Sequence, residues 1–155
     1  MKAATMWKEF KKECPEINCD YEAWAFGEDA NNLAKLVLQG KKTATSSLYD
    51  AYKDEREPLP QVGEYSVLLL DNEEAVCILR NIKVSVMPFS EVGEDHARKE
   101  GEGDLSLDYW RKVHKDFFEK QMLELGKVFS PRCNVVCEEF EIVYPSIFVK
   151  KTLKK

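Results

Sequence analysis

A run of amines and hydroxyls occupies residues 40–47, where the sequence reads GKKTATSS. Such groups could hydrolyse an N-acyl amine, because that reaction needs a nucleophile, a base, a proton donor for the leaving amine and stabilisation of an oxyanion. Thr45 supplies a hydroxyl, and Lys42 could either take its proton or remain a fixed cation. Burial favours the neutral amine and a nearby carboxylate favours the ammonium, so the sequence leaves both roles of Lys42 open.

The same run is also typical of a solvated helix end that leads into a strand, where threonine is common. It is not a phosphate-binding P-loop, because its glycine spacing differs and no strand immediately precedes it. Lys42 and Thr45 are three positions apart and would point to opposite faces of a regular strand. We therefore predict a turn or bulge within residues 42–45. An unbroken strand from Lys42 to Ser47 would rule out a shared catalytic role.

Five short motifs are spread along the chain in a fixed order. They are Trp24–Gly27, Gly40–Thr45, Pro60–Gly63, Pro88–Val92 and His96–Asp104. Together they resemble the ASCH domain family, which is related to the PUA RNA-binding fold. The resemblance covers about residues 22–144 and implies a cleft lined by the glycine-lysine run.

The resemblance also implies roles for particular residues. One small bacterial branch of the family, similar in its Gly-x-Lys-Thr-x-Thr and His-Ala-x-x-Glu runs, hydrolyses N4-acetylcytidine with a lysine, a threonine and a glutamate. Carried over by position, these catalytic roles fall on Lys42, Thr45 and Glu100. That branch keeps an arginine where this chain has Ser47, which leaves the substrate open. The candidate ligand contacts are Lys41, Thr43, Ser47, Trp24 and Phe26.

Three functions from different classes remain in view. The first is an amidohydrolase that acts on N-acylated nucleosides; the second is a non-catalytic RNA-binding module of PUA-like type or a weak ribonuclease. The third is a non-catalytic ligand-binding or interaction domain. A net charge of −5 and a pI of about 5.2 suit a small ligand better than a long phosphate backbone. The local argument for RNA is provided by the basic residues Lys41, Lys42 and those at 111–115.

We expect neither a cofactor nor a metal. Glu100, Glu102 and Asp104 lack the spacing of a calcium loop. His96 and His114 are the only two histidines, too few for a convincing zinc site. The sequence does not determine the oligomeric state.

The elements that must position these residues follow from hydrophobic periodicity and breaker residues. We predict helices over 3–13, 29–39, 94–100 and 106–125, an extended segment over 42–47, and strands over 64–70, 75–87 and 135–144. This succession indicates an α+β fold, with flanking helices on a small, curved, mostly antiparallel sheet or PUA-like β-barrel. We expect a single domain over 1–155, with an ASCH-like core at about 22–144, an N-terminal helix at 3–13 and a basic C-terminal tail at 146–155.

The cellular location is predicted from what the sequence lacks. No apolar run approaches the length of a membrane span, and residues 1–12 lack the apolar stretch of a signal peptide. We therefore expect a cytoplasmic protein that does not bind membranes. Its five cysteines are then expected to be reduced thiols.

Overall fold

A computed structural model describes residues 1–149 of the chain, and these residues form five helices and five strands. The basic residues 150–155 of the predicted tail lie outside the described part. Short 3-10 turns cover Phe89–Glu91 and Ser146–Phe148. The helices are α1 Ala3–Glu13, α2 Ala30–Leu38, α3 Tyr49–Glu55, α4 Glu94–Glu100 and α5 Leu107–Glu124. The strands are β1 Tyr21–Trp24, β2 Ala44–Leu48, β3 Tyr65–Leu69, β4 Ala75–Pro88 and β5 Asn134–Tyr144.

The described strands form one sheet in the order β1-β3-β4-β5-β2. β3 pairs with β4 and β2 pairs with β5 in antiparallel fashion, whereas β1 pairs in parallel with β3. The predicted α+β class is therefore confirmed. Within the described residues, β1 and β2 are the two edges of the sheet, so it is open rather than closed into a barrel.

Two elements, β1 and α3, were not predicted from the sequence. β1 has only four residues and none of them is buried, so it gives a weak alternating pattern. α3 likewise contains no buried residue, and its sequence of alternating charges and tyrosines has no apolar stripe. The sequence predicts a polar loop over residues 54–63, which contains Pro58 and Pro60, but its first two residues belong to α3.

The chain divides into two compact units. The first unit contains Met1–Lys42, Val62–Ile82 and residues 140–149, and the second contains Thr43–Gln61 and Lys83–Glu139. Strands β4 and β5 each continue from one unit into the other.

The core of the first unit includes the apolar face of α1. Trp7 packs against Tyr21, with ring centroids 4.8 Å apart, and against Tyr65 at 5.6 Å. Phe10 lies 5.8 Å from Tyr65 and 5.9 Å from Tyr144. The predicted N-terminal helix is therefore an integral part of this unit and not a free extension.

The core of the second unit surrounds α5. Trp110 stacks on Phe89 at 5.2 Å, and Phe118 meets the same ring edge-on at 6.2 Å. Trp110 is 2% exposed and Phe118 is fully buried, so the predicted helix over 106–125 presents both side chains to the core. Leu48 of β2 and Val135 of β5 complete the cluster. This packing holds α5 beside the two elements that carry the predicted chemistry, β2 and α4.

Among residues 1–149, no helix has both the length and the apolar character that crossing a bilayer requires.

Replacement of Trp7 by alanine tests the contribution of α1 to the first unit. We expect Trp7→Ala to lower the free energy of unfolding by about 3–5 kcal/mol, because it leaves a cavity among three aromatic rings. Urea denaturation followed by circular dichroism measures the change. Lys8→Ala, at an exposed position of the same helix, is the control and should change stability little. Equal stabilities of the two variants would show that α1 is not packed as described.

Candidate functional site

The glycine-lysine run begins with a tight helix ending. Gly40 has φ of 76°, the left-handed conformation that glycine adopts without strain. Its N–H donates to the carbonyl of Val37 at 2.9 Å, and that of Lys41 donates to the carbonyl of Leu36 at 3.0 Å. These are the two hydrogen bonds of a Schellman ending. β2 begins only at Ala44, so the chain is not an unbroken strand from residue 42 to residue 47.

Lys42 is buried in the first unit. It is 2% exposed, and its Nζ lies 5.3 Å from the centroid of the Phe26 ring, within the range of a cation–π interaction. Phe26 in turn meets Trp24 edge-on at 5.1 Å. Three of the predicted site residues therefore lie together here. Lys41, by contrast, is exposed.

Phe26 also lines an open pocket of about 490 Å³ in the first unit. Its wall includes the N-terminal end of α2 and the turn after β3. Two of the lining side chains, Asp29 and Asp71, are carboxylates, so the pocket carries negative charge. The lining residues are Ala25, Phe26, Gly27, Asp29, Ala30, Asn31 and Asp71.

Within the second unit, the hydroxyl-rich run joins the end of α4. The N–H of Thr43 donates to the carbonyl of Lys99 at 2.7 Å, and the Thr43 hydroxyl approaches the same carbonyl at 3.4 Å. Three residues later, the Ser46 hydroxyl donates to Glu100 Oε2 at 2.5 Å. Two motifs that are more than fifty residues apart in the sequence thus meet through direct hydrogen bonds.

Glu100 lies at the centre of this contact and is only 1% exposed. The same oxygen, Oε2, accepts a second hydrogen bond from the indole Nε1 of Trp110 at 2.5 Å. Nε2 of His96 lies 3.0 Å from it and Nε2 of His114 lies 3.5 Å from it. We call these five residues the Glu100 network: Ser46, His96, Glu100, Trp110 and His114. A buried carboxylate is costly unless it is hydrogen-bonded, and this one is surrounded by donors.

His96 completes a chain of hydrogen bonds in the network. Its Nε2 lies 2.7 Å from the Ser46 hydroxyl, whose own proton is directed to Glu100. The hydroxyl therefore accepts from His96, which assigns a proton to Nε2 of that ring. Ser46 thus links Glu100 to His96 through two successive hydrogen bonds.

His114 contacts the network from α5. Its Nδ1 lies 2.9 Å from the carbonyl oxygen of Trp110, and its ring stacks on the indole at 4.3 Å with an interplanar angle of 18°. Burial lowers the pKa of His114, but the hydrogen bond to Glu100 and the charge of that carboxylate outweigh burial. The pKa is therefore raised above its ordinary value of 6.5.

The remaining predicted residues of β2 have different surroundings. Side chains alternate along a strand, so Thr45 and Ser47 lie on the face opposite to that of Ser46. The backbone of Thr45 is opposite Glu138 of β5. The Ser47 hydroxyl lies 2.7 Å from the Tyr52 hydroxyl of α3, to which it is hydrogen-bonded.

One group of side chains in the described part of the chain has the spacing of metal ligands. Ligand atoms of Glu100, Glu102 and His114 lie within 4.8 Å of one another. Glu100 Oε2, the oxygen nearest His114, already accepts hydrogen bonds from Ser46 and Trp110. We therefore interpret these contacts as an internal ion pair and not as a metal centre.

Ser46, Trp110 and His114 were not among the predicted site residues. Alternation in β2 could have shown that Ser46 and Thr45 serve different faces. The four-residue spacing of Trp110 and His114 could have placed both on one face of α5. Their contact with Glu100 depends on how α5 packs against α4, which no local pattern reveals.

Known proteins resemble this chain closely in sequence and structure. The sequence model of the ASCH domain matches residues 22–144. The crystal structure of an ASCH domain from Lactobacillus crispatus is 34% identical over 92% of this chain and 94% of that chain, with a TM-score of 0.86. Protein EF3133 from Enterococcus faecalis is 35% identical over 90% of this chain and 86% of that chain, with a TM-score of 0.83.

No curated protein has a sequence that matches this chain. The family match nevertheless spans most of the 155 residues, and both structural relatives exceed one-third identity over nearly their whole length. The chain belongs to the ASCH domain family.

Proposed function

We propose that this ASCH protein binds a nucleoside-like ligand and hydrolyses an N-acyl group on its base. The observation that carries the proposal is the burial of two charged side chains. Among the described residues, only three polar or charged side chains are buried: Lys42, Asn81 and Glu100. The two charged ones are the lysine and the glutamate that match the acetylcytidine-hydrolysing branch of the family.

Such burial is unfavourable for folding and needs a reason. Removing an ammonium or a carboxylate from water costs several kcal/mol, and hydrophobic residues of similar volume often give equal or greater stability. Desolvated ionisable groups are instead characteristic of sites that move protons or stabilise developing charge. Lys42 and Glu100 therefore each fit a catalytic role better than a purely structural one.

The pocket in the first unit supports a nucleoside as the ligand. The Phe26 ring offers an apolar surface on which a base can stack. Asp29 and Asp71 can accept hydrogen bonds from the N–H groups of a base or the hydroxyls of a sugar. The same carboxylates repel phosphates, so a neutral nucleoside fits better than an RNA backbone.

The proposed reaction gives each of the three candidate catalytic residues a part. The Thr45 hydroxyl attacks the acyl carbon, and the bond between that carbon and the base nitrogen breaks as the nitrogen gains a proton. Water then hydrolyses the acyl ester on Thr45, so the net products are a carboxylic acid and the free amine. Lys42 assists the attack as a base or stabilises the oxyanion, and Glu100 delivers the proton to the nitrogen. Because Thr45 lies on the face of β2 opposite to that of Ser46, this reaction requires the Thr45 side chain to approach Glu100 when the ligand is bound.

Acetate release from N4-acetylcytidine tests this function. We expect the purified protein to release acetate, and Lys42→Met, Thr45→Ala and Glu100→Gln each to lower kcat by at least about 100-fold, the usual effect of losing a general acid or base. Lys35→Met removes an exposed lysine of α2 and should leave kcat unchanged. Circular dichroism verifies that each variant is folded. No release from N4-acetylcytidine or related N-acylated nucleosides would rule out the hydrolase.

Ligand binding can be tested separately from catalysis. We expect Phe26→Ala to weaken binding of cytidine by about 1–3 kcal/mol, the usual value of one base–aromatic stack. The 5′-monophosphate should bind more weakly than the nucleoside, because the pocket contains two carboxylates. Isothermal titration calorimetry measures both affinities. The control is Tyr109→Ala, which removes an exposed aromatic ring outside the pocket. Tighter binding of mixed RNA, with a steep dependence on salt, would instead favour the RNA-binding alternative.

A further inference from the structure

We propose that His114 is an imidazolium at neutral pH and serves as a positioning residue, holding Glu100 ionised and in one orientation against Ser46 and Trp110. The inference deepens the proposed function. The positioning role of His114 in catalysis rests on the proposed hydrolase function. The charge state of His114 does not depend on that function.

The first argument concerns the Nδ1 atom of His114. It lies 2.9 Å from the carbonyl oxygen of Trp110, and a carbonyl oxygen can only accept a hydrogen bond. Nδ1 must therefore carry a proton. If the ring were neutral, Nε2 would have no proton and would present a lone pair.

The second argument concerns what Nε2 faces. It lies 3.5 Å from Glu100 Oε2, so a neutral ring would direct a lone pair at a carboxylate oxygen. One proton between the two atoms removes this repulsion. That proton does not fit on Oε2, because this oxygen already accepts from the Ser46 hydroxyl and the Trp110 indole. The proton is therefore on His114.

The third argument is the position of the ring over Trp110. The two rings stack at 4.3 Å with an angle of 18° between their planes. The face of an indole carries negative electrostatic potential, which favours a cation above it. A carbonyl oxygen, a carboxylate and an aromatic face thus all favour the protonated ring.

The other titratable groups near Glu100 are consistent with a negative charge there. Glu102 adds a second carboxylate that favours the cationic form of His114. Burial, followed by the charge of Glu100, raises the pKa of Cys137 in β5 to about 12, so that thiol stays neutral. His96 contacts the same carboxylate oxygen from α4, and its Nε2 proton is directed to Ser46.

An ionised Glu100 cannot begin the proposed reaction as an acid. It must first accept the proton released when the hydroxyl attacks the acyl carbon. It then returns that proton to the base nitrogen as the C–N bond breaks, so the protein neither gains nor loses a proton. The positive charge of His114 keeps the Glu100 carboxylate deprotonated, so that it is able to accept this proton. The contact with His114 also fixes the direction of the carboxylate.

Nuclear magnetic resonance of histidine tests the inference directly on the native protein. Because the chain has only two histidines, selective nitrogen-15 labelling gives two ring systems, and a His96→Asn variant assigns them. We expect His114 to have protons on both nitrogens at neutral pH and to titrate above 6.5, its ordinary pKa. Glu100→Gln should lower that pKa, whereas Lys115→Met, an exposed charge on α5, should not.

Three results would overturn the inference. They are a neutral His114 ring at pH 7, a titration that Glu100→Gln does not alter, and a spectrum that changes when EDTA removes bound metal. None of these readouts depends on acetate release, so a failure of the hydrolase and a failure of this inference are distinguishable. If the hydrolase is active, His114→Phe should alter the pH profile of kcat, because the stacked ring remains but its charge does not.

The raised pKa of His114 also predicts how stability depends on pH. A group whose pKa is higher in the folded state contributes stability that is fully present below its unfolded pKa of 6.5. That contribution is lost as the pH rises through the folded pKa. We therefore expect the urea midpoint of the native protein to fall as the pH rises above 6.5, and to fall less in His114→Phe. Parallel pH dependences for the two proteins would contradict the assignment.

Discussion

The second unit is organised around one buried carboxylate. Glu100 is almost fully removed from water, and a charge in that position is tolerated only where donors replace its hydration. The polar groups around it come from three elements: Ser46 from β2, His96 from α4 itself, and Trp110 and His114 from α5. The packing of α5 against α4 and β2 is thereby tied to the electrostatic requirement of a single side chain.

This constraint explains why the core and the candidate site share residues. Trp110 fills the centre of the apolar cluster of the second unit through one face of its ring, which stacks on Phe89. Its Nε1 donates to Glu100, and its backbone carbonyl accepts from His114. A residue with only an apolar side chain could fill the same volume but could not perform the first of these tasks. The aromatic core is therefore also the support of the polar network.

Sequence reasoning succeeded where a local pattern carries the information. Hydrophobic periodicity gave α5 to within one residue at each end, and breaker residues gave the bounds of α4. β1 and α3 were missed because neither has a buried stripe or a long alternating run. The parallel pairing of β1 with β3 is likewise a tertiary property, since it joins segments more than forty residues apart.

The candidate site likewise contains residues that motifs identified and residues that only the structure revealed. Lys42 and Glu100 were named from motifs, and both are buried. The role of Thr45 and the ligand contacts at Lys41, Thr43, Ser47, Trp24 and Phe26 stay predictions. Ser46 reaches Glu100 only because the fold brings together β2 and α4, which are remote in sequence. His114 reaches it because the chain turns back after the glycines that follow α4. No spacing rule along the chain contains that information.

The short strand β2 has a consequence for how members of this lineage can diverge. Two adjacent hydroxyls, Thr45 and Ser46, face opposite sides of one strand, and only Ser46 is committed to the buried carboxylate. Substitution at either position changes one side and leaves the other intact. A deletion or insertion of one residue within Ala44–Leu48 would exchange the two sides throughout the strand, exposing Leu48 and turning the wrong hydroxyl inward. Point substitutions should therefore accumulate in this segment far more readily than changes in its length.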